Sequence, residues 1–355
     1  MNKFGRIFSI SIYGESHGKG VGIVLDGVTP GLNIKNEDFN LALERRKPRL
    51  IGTTKRIEED VPQILSGILN NYTTGTPINI FFENKNIVSK DYKNYKEHPR
   101  PGHGDYTGTI KYQGYNDIAG GGHFSGRLTL GLVAAGVVAD KILEKKLLRG
   151  IEVMTRVSKL GKINLSEKEW SEFLDEKLNL DISEENKNKI VEEIERVSDL
   201  GDSLGGIIQC RVKNLNAGYG EPFFDSLEAV LAHGLFSIPG VKGVEFGIGF
   251  KGVEKLGSEF NDRIENSDGQ TLTNNSGGIN GGISNGNEIV FSVAIRPTAS
   301  INKGQNTFNF ETEQKEIMEI KGRHDVAFIM RVPIIIESIV KIVLADMVSV
   351  SNLYK

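Results

Sequence analysis

The sequence predicts an α+β fold, a mixed α/β arrangement in a single domain. Short apolar runs with a period of two, typical of strands, occur at residues 7–12 and 288–295. Two longer apolar segments, residues 129–148 and 326–348, have the length of buried helices. Strand-like and helix-like segments alternate irregularly, and neither a low-complexity linker nor an internal repeat is evident. We therefore expect one domain over the whole chain, with a peripheral helical insertion at 165–198.

Composition and charge exclude several classes of protein. Hydrophobic residues make up 38% of the chain and charged residues 25%, and the formal net charge of −3 offers no basic field for nucleic acid. The single cysteine, Cys210, cannot form an internal disulfide and suits a reducing compartment. Charged residues interrupt the segment 326–348, which predicts a buried helix instead of a membrane span. No signal-peptide pattern opens the chain, so we expect a cytoplasmic protein that binds neither nucleic acid nor membrane.

The first residues predict a strand, a glycine-bounded turn and a second strand. The strand at 7–12 is followed by Gly14-Glu15-Ser16-His17-Gly18 and by an apolar run at 21–25. Such a turn is either a solvated hairpin turn or an exposed place for chemistry. Its G-x-S-x-G spacing also matches the nucleophile elbow of serine hydrolases, which would use Ser16. That motif needs a helix after the serine, so the hydrolase is only a remote alternative.

The next segments predict a helix, a strand and an anion-binding loop. Residues 36–46 form a short helix with Asn36 as N-cap, and Pro48 stops it. Residues 76–82 are strand-like. The glycine run 120–122 leads into the helix at 129–148, where free N–H groups and the helix dipole favour an anion. Simple helix entry is the alternative interpretation of that run.

The C-terminal half predicts a strand, two helices and a glycine-rich stretch. Residues 207–212 are strand-like, and residues 225–236 form a helix whose His233 is more often packed than catalytic. The glycine-rich stretch 274–287 is either a surface loop or a ligand-binding loop. Pro333 fits the first turn of the last helix.

Three loops place a histidine beside arginine, aspartate or glycine. They contain His17, then Arg100 with His103 and Asp105, and finally Arg323 with His324 and Asp325. Histidines titrate near neutral pH and act as acids or bases, and arginines bind phosphates and carboxylates through two hydrogen bonds. The histidines show no metal-ligand spacing, so no metal is predicted. The residues alone therefore predict a phosphate-bearing substrate and acid–base chemistry, with a phosphorylated cofactor as an option.

Six sequence blocks, in the same order along the chain, resemble the chorismate synthase family. They are residues 14–30, 100–103, 125–129, 277–284, 297–298 and 322–325. The resemblance extends to about residue 348, and the segment 165–198 is poorly matched. It implies a sandwich of sheets and helices, and a homotetramer.

The resemblance implies a lyase of the shikimate pathway, which leads to the aromatic amino acids. The reaction is the anti-1,4 elimination of phosphate from 5-enolpyruvylshikimate 3-phosphate, which gives chorismate and depends on reduced FMN. By this resemblance His17 protonates the departing phosphate, His103 protonates the reduced flavin and Asp325 assists proton removal at flavin N5.

The resemblance also implies binding residues. The anion-binding side chains are Arg46, Arg100 and Arg127. The flavin contacts are His123, Phe124, Ser125, Pro239, Gly240, Gly281, Arg296, Pro297, Thr298, Ala299, Ser300 and Arg323.

The chain departs from the usual family residues at several of these positions. The differences are His123-Phe124 for Arg-Ser, Leu128 for Glu, Pro239 for Asn and Arg296 for Lys. The three implied catalytic residues are intact, so we expect activity with altered FMN affinity. A shorter loop after Pro48 favours an enzyme that receives flavin from an external reductase over one that reduces its own flavin with NADPH. An inactive or repurposed flavin- and phosphate-binding paralogue is the main alternative.

Overall fold

Two five-stranded antiparallel sheets enclose a pair of long helices, so the layers run sheet, helix, helix, sheet. The computed structural model describes residues 1–47, 52–53, 59–85, 95–147, 149–165, 184–320, 322 and 324–353. The arrangement confirms the predicted α+β class and the sandwich of sheets and helices.

The N-terminal half forms the first sheet and its helices. Its elements are β1 Lys3–Phe4, β2 Ser9–Gly14, β3 Gly20–Asp26, α1 Asn40–Arg46, β4 Gln63–Ser66, β5 Ile68–Leu69, β6 Tyr72–Thr73, β7 Ile78–Glu83, α2 Asp105–Lys111 and α3 Thr129–Lys146. The strand order in the sheet is β1-β2-β3-β7-β4. The predicted strand–turn–strand around His17 is confirmed as the antiparallel pair β2–β3.

The C-terminal half forms the second sheet. Its elements are β8 Glu152–Leu160, β9 Ile163–Asn164, α4 Glu184–Asp199, β10 Gly206–Lys213, α5 Leu227–Leu235, β11 Val241–Phe246, α6 Gly257–Phe260, β12 Ile279–Asn280, β13 Ile283–Ser284, β14 Ile289–Ile295, β15 Gln305–Asn309, β16 Gln314–Met318 and α7 Pro333–Ser351. The strand order is β11-β14-β10-β8-β9. Pro333 occupies the first turn of α7, as predicted.

The two halves repeat one topology. The four main strands of the first sheet pair as β2-β3-β7-β4, and those of the second pair as β8-β10-β14-β11. In each half a helix separates the second main strand from the third, and a long helix follows the fourth. The sequence shows no such repeat, because different apolar residues satisfy the same burial pattern and the connecting loops differ in length.

The centre of the molecule is the contact between α3 and α7. A Cβ added to Gly136 of α3 would lie 2.5 Å from Cβ of Ser338, so glycine permits this close approach. Nearly every residue of α7 is buried, and its charges have partners in the core. Glu337 accepts bonds of 2.6 and 2.7 Å from Arg45, and Asp346 accepts the backbone N–H groups of residues 6–8. Within the described residues, no helix has the length and apolarity needed to cross a membrane.

One local prediction differs from the structure. The predicted helix at 36–46 begins as a 3-10 turn, and its N-cap is Lys35 instead of Asn36, because the carboxylate of Asp38 accepts the Lys35 N–H at 2.8 Å. The described end of the predicted insertion, α4, packs its apolar face on the main core through buried Ile190 and Ile194, and the insertion itself stays a prediction. Residues 166–183 of the predicted insertion lie outside the described residues.

His233, on α5, meets the ring edge of Phe4 with centroids 5.2 Å apart, which agrees with its predicted packing role. The stretch 274–287 contains the short hairpin β12–β13 and does not reach the cavity described below.

Candidate active site

Loops from both halves meet around a cavity of about 450 Å³, a size typical of small-molecule sites. The N-terminal half contributes residues at 16–17, 100–104 and 120–129, and the C-terminal half contributes 239–240, 296–300 and residues between 324 and 335. The cavity therefore lies between the halves. Most of the residues that sequence analysis assigned to a site lie around it.

His17 is held against the glycine run. A Cβ added to Gly120 would lie 1.8 Å from Nδ1 of His17, and Gly120 has a φ of +60°, so only glycine fits there. The Ser16 N–H donates to the carbonyl of Gly122 at 3.1 Å, which joins the β2–β3 turn to the run. These contacts place the imidazole in the wall of the cavity.

His103 belongs to a buried triad with Arg100 and Asp105. The guanidinium of Arg100 donates to both carboxylate oxygens of Asp105, from Nε at 2.7 Å and from Nη2 at 2.8 Å. Nδ1 of His103 lies 2.7 Å from Oδ1 of the same carboxylate. Burial alone would raise the pKa of Asp105, but hydrogen bonds from Arg100 and His103, together with the arginine charge, hold it well below its usual value. The carboxylate therefore stays charged.

Arg46 and Arg127 share the carboxylate of Asp60. Nη1 of Arg127 lies 3.0 Å from Asp60 Oδ1, and Nη1 of Arg46 lies 3.7 Å from Oδ2. Arg46 is only 4% exposed and also donates to Thr129 Oγ1 at 2.9 Å. Burial, and the nearby charges of Arg331 and Arg127, lower the pKa of Arg46 to about 9. This part of the cavity thus carries more positive charge than its own carboxylates balance.

The C-terminal half adds a second ion pair. Arg331 donates to Asp325 at 3.1 Å from Nη1 and to the backbone carbonyl of Arg46 at 3.1 Å from Nε. His324 lines the same wall, and burial together with the charge of Arg100 lowers the pKa of its imidazole. The predicted flavin contact Arg323 lies outside the described residues.

Most predicted flavin residues line the cavity, and two do not. Phe124, Ser125, Pro239 and Gly240 line it, as does every residue from 296 to 300. Gly281 and His123 are also predicted flavin contacts, but they lie away from the cavity. Nδ1 of His123 lies 2.9 Å from the carbonyl oxygen of Gly14, so its ring braces the β2–β3 turn.

Arg296 links the halves, since its Nη1 donates to the carbonyl of Gly102 at 2.7 Å. Ser300 Oγ accepts from Arg100 Nη1 at 3.3 Å. The hydroxyl of Thr298 is buried and has no hydrogen-bond partner among the described residues. An unpartnered polar atom in a cavity wall indicates that a polar ligand completes it.

The family model described as chorismate synthase matches residues 8–349. The chain belongs to the chorismate synthase family. The chorismate synthase of Chitinophaga pinensis is 46% identical over 98% of this chain and 96% of its own length. That of Pyrococcus abyssi is also 46% identical, over 96% of both chains. A solved structure described as the crystal structure of chorismate synthase superposes with a TM-score of 0.73 at 27% identity, and covers 97% of this chain and 92% of the other.

Membership of the chorismate synthase family confirms the resemblance and identifies the protein as a lyase. The serine-hydrolase alternative is wrong, because Ser16 is followed by strand β3, whereas a nucleophile elbow needs a helix there.

Sequence reasoning missed two charged residues that line the cavity. Arg331 lies in a strongly apolar segment, where an unexplained charge is a usable signal of function. Asp60 follows another acidic residue, Glu59, and nothing local distinguishes it from a solvated side chain. Only the fold places its carboxylate between Arg46 and Arg127.

Proposed function

We propose that this protein converts 5-enolpyruvylshikimate 3-phosphate into chorismate and phosphate by a 1,4-elimination. That substrate carries one phosphate and two carboxylates. The observation that supports the proposal is the charge of the cavity wall, where arginines outnumber the two described carboxylates of Asp60 and Asp325. The arginines are Arg46, Arg100, Arg127, Arg296 and Arg331.

The arginines of the cavity wall differ in how far their N–H groups are already bonded to carboxylates of the protein. Arg100 already binds Asp105 through Nε and Nη2, so its predicted role as an anion clamp is limited to the remaining N–H groups. Arg46 and Arg127 both contact the carboxylate of Asp60, and burial together with the charges of Arg331 and Arg127 lowers the pKa of Arg46. We therefore assign the principal anion contacts to Arg46 and Arg127, because a bound phosphate offsets this concentration of positive charge.

His17 is the proposed proton donor to the departing phosphate. Its ring lies against Gly120 in the cavity wall, beside the loop that carries Arg127. Protonation of a leaving oxygen by a positioned acid typically accelerates a reaction roughly 100- to 10,000-fold. Asp325 is the proposed proton acceptor of the C-terminal half, and its ion pair with Arg331 orients its carboxylate.

The cavity residues fit the reduced FMN that the family uses. The unpartnered Thr298 hydroxyl offers a hydrogen bond, Phe124 and Phe328 offer apolar surface, and the run 296–300 forms a continuous wall. When bound, reduced FMN supplies electron density transiently as phosphate leaves and recovers it as the C6 hydrogen is lost. The protein's part is to hold protons at His17 and His103 and to neutralise the anions. The departures at Phe124, Pro239 and Arg296 lie in this wall, so the predicted change in FMN affinity stays with the proposal.

Three further features belong to the proposal. We propose a cytoplasmic enzyme that receives reduced flavin from an external reductase in preference to NADPH. We also propose a homotetramer, for which exposed apolar side chains offer contact surface. These include Phe223, Phe224, Phe250 and Val253, each more than 80% exposed.

An anaerobic assay tests the proposed reaction. The protein is mixed with chemically reduced FMN and 5-enolpyruvylshikimate 3-phosphate, and chorismate absorbance is followed. We expect product only when both reduced flavin and substrate are present. If no product forms although phosphate and FMN bind, the reaction is wrong and the inactive or repurposed paralogue is correct.

A further inference from the structure

Asp105 is a buried carboxylate that the proposed reaction has not yet used. It is 3% exposed, it lies at the first position of α2, and its two oxygens meet both Arg100 and His103. Its Oδ2 also accepts the backbone N–H of Arg100 at 3.1 Å. The Arg100 guanidinium lies over the ring of Tyr95, with its central carbon 4.5 Å from the ring centroid.

The hydrogen bonds of this triad determine where the imidazole carries its proton. Nη2 of Arg100 lies 3.0 Å from Nδ1 of His103 and 2.8 Å from Oδ1 of Asp105. A guanidinium only donates and a carboxylate only accepts. Nδ1 lies closer still to Oδ1, at 2.7 Å, so the consistent pattern has both Nη2–H and Nδ1–H donating to the carboxylate.

From this pattern we infer that Asp105 is a positioning residue for His103. It holds the ring as the Nδ1–H tautomer and leaves Nε2 to take up and deliver a proton inside the cavity. Arg100, bound to both oxygens, keeps the carboxylate in place. The inference rests on the proposed function, since it gives a purpose to the proton held at His103.

The arrangement exceeds what an ion pair requires. A bidentate Arg–Asp pair is complete without a histidine, yet Oδ1 receives a second donor from His103 besides Nη2 of Arg100. A carboxylate bound to one imidazole nitrogen selects the tautomer and stabilises the imidazolium, as in serine-protease triads. Within the described part of the chain, Arg100 and Asp105 contact Nδ1 of His103, His324 lies within electrostatic reach of it, and Arg296 donates to the carbonyl of the adjacent Gly102. The Asp105 variants leave Arg100, His324 and Arg296 unchanged.

A spectroscopic experiment tests the tautomer without any need for activity. The full chain is labelled with 15N-histidine, and the His103 signals, among six histidines, are assigned by their loss in His103→Gln. At about pH 8 we expect a protonated Nδ1 and an unprotonated Nε2. In Asp105→Asn both tautomers should appear, because an amide can either accept or donate. A His103 protonated at Nε2 in the unchanged protein overturns the inference.

A kinetic experiment tests the consequence for the reaction. Asp105→Asn should lower kcat roughly 100-fold or more, with KM for the phosphorylated substrate within about threefold, and should move the pH profile of kcat. Asp105→Glu, which restores a carboxylate, should recover part of kcat. The control is Asp262→Asn in the C-terminal half, whose carboxylate accepts from Thr273 and backbone N–H groups away from the cavity.

The outcomes separate the two claims. If the unchanged protein makes no chorismate but His103 has the expected tautomer, the proposed function fails and the positioning role stands. If Asp105→Asn keeps the full kcat and pH profile, the positioning role is wrong although the enzyme is active. Should Asp105→Asn fail to fold, the tautomer of the unchanged protein and the kcat of Asp105→Glu still decide the question.

Discussion

The N-terminal and C-terminal halves share a strand order but bring different chemistry to the cavity. In each half, the loop after the first helix and the loop after the fourth main strand reach the site, because equivalent loops of the two halves lie at the same opening. The N-terminal half supplies His17 and His103 from loops and the buried Arg46 from the end of α1. The C-terminal loops supply the continuous wall 296–300 and the ion pair of Asp325 with Arg331.

The difference also concerns the first hairpin of each half. In the N-terminal half the β2–β3 turn is short and holds His17 in the cavity wall. In the C-terminal half the chain between β8 and β10 contains β9 and α4, and its described part packs into the core. A repeated topology therefore gives equivalent places for loops, while the residues and lengths of the loops decide which side chains each half brings to the cavity.

The largest expected effect separates the histidines of the two halves. His17→Ala should lower turnover roughly 100- to 10,000-fold, because the proposed proton donor is lost. His324→Ala, which changes the cavity histidine of the C-terminal half, should lower turnover about ten times less than His17→Ala does. The pKa of His324 is lowered by burial and by Arg100, so little imidazolium is available there at neutral pH.

Steady-state rates with saturating reduced FMN measure this difference, and the exposed His233→Ala is the control. Equal losses for the two cavity histidines would contradict the assignment of proton donation to the N-terminal half.

A second, smaller effect concerns stability and pH. Asp105→Asn should lower the free energy of unfolding by about 3 kcal/mol at neutral pH, because Arg100 loses its buried counter-ion. The folded-state pKa of Asp105 lies below its ordinary value of 3.8. The carboxylate therefore stabilises the protein fully above about pH 5, and this contribution is lost as pH falls through the folded-state value.

Urea unfolding of both proteins at about pH 7 and about pH 3 measures the effect, and the difference in stability should shrink at the lower pH. Asp262→Asn should cost only about 1 kcal/mol, since neutral donors hold that C-terminal carboxylate. A difference for Asp105→Asn that grows at low pH would refute the ion-pair explanation.

The smallest expected effect compares one arginine from each half. Arg46→Met should weaken binding of inorganic phosphate about tenfold and reduce the phosphate-induced rise in Tm. The unliganded protein should lose little stability, because burial and two neighbouring arginines lower the pKa of Arg46 to about 9 and make its charge costly. Calorimetric titration and thermal unfolding with phosphate measure both quantities.

Arg296→Met is the matched C-terminal variant and should keep most of the phosphate affinity. The Arg296 guanidinium already donates to the carbonyls of Gly102 and Pro297. If Arg296→Met loses more affinity than Arg46→Met, the anion contacts belong to the C-terminal half.

The sequence by itself determined several of the strands, both central helices and most of the predicted residues that line the cavity. Alternating apolar residues predicted β2, β3, β10 and β14, and the apolar lengths predicted α3 and α7, because local periodicity follows directly from which face is buried. Histidines and arginines in glycine-rich loops predicted an anionic substrate and acid–base chemistry. The ordered motif blocks predicted the family.

Only the tertiary structure decided which of these residues meet. Asp60 lies between Arg46 and Arg127, Arg331 reaches the backbone of Arg46, and His123 braces Gly14 instead of lining the cavity. Each contact joins residues far apart in the chain, so no local pattern encodes it. The repeated strand order is not visible in the sequence for a related reason. Backbone pairing between strands depends on burial and register, so many different side chains satisfy the same pairing.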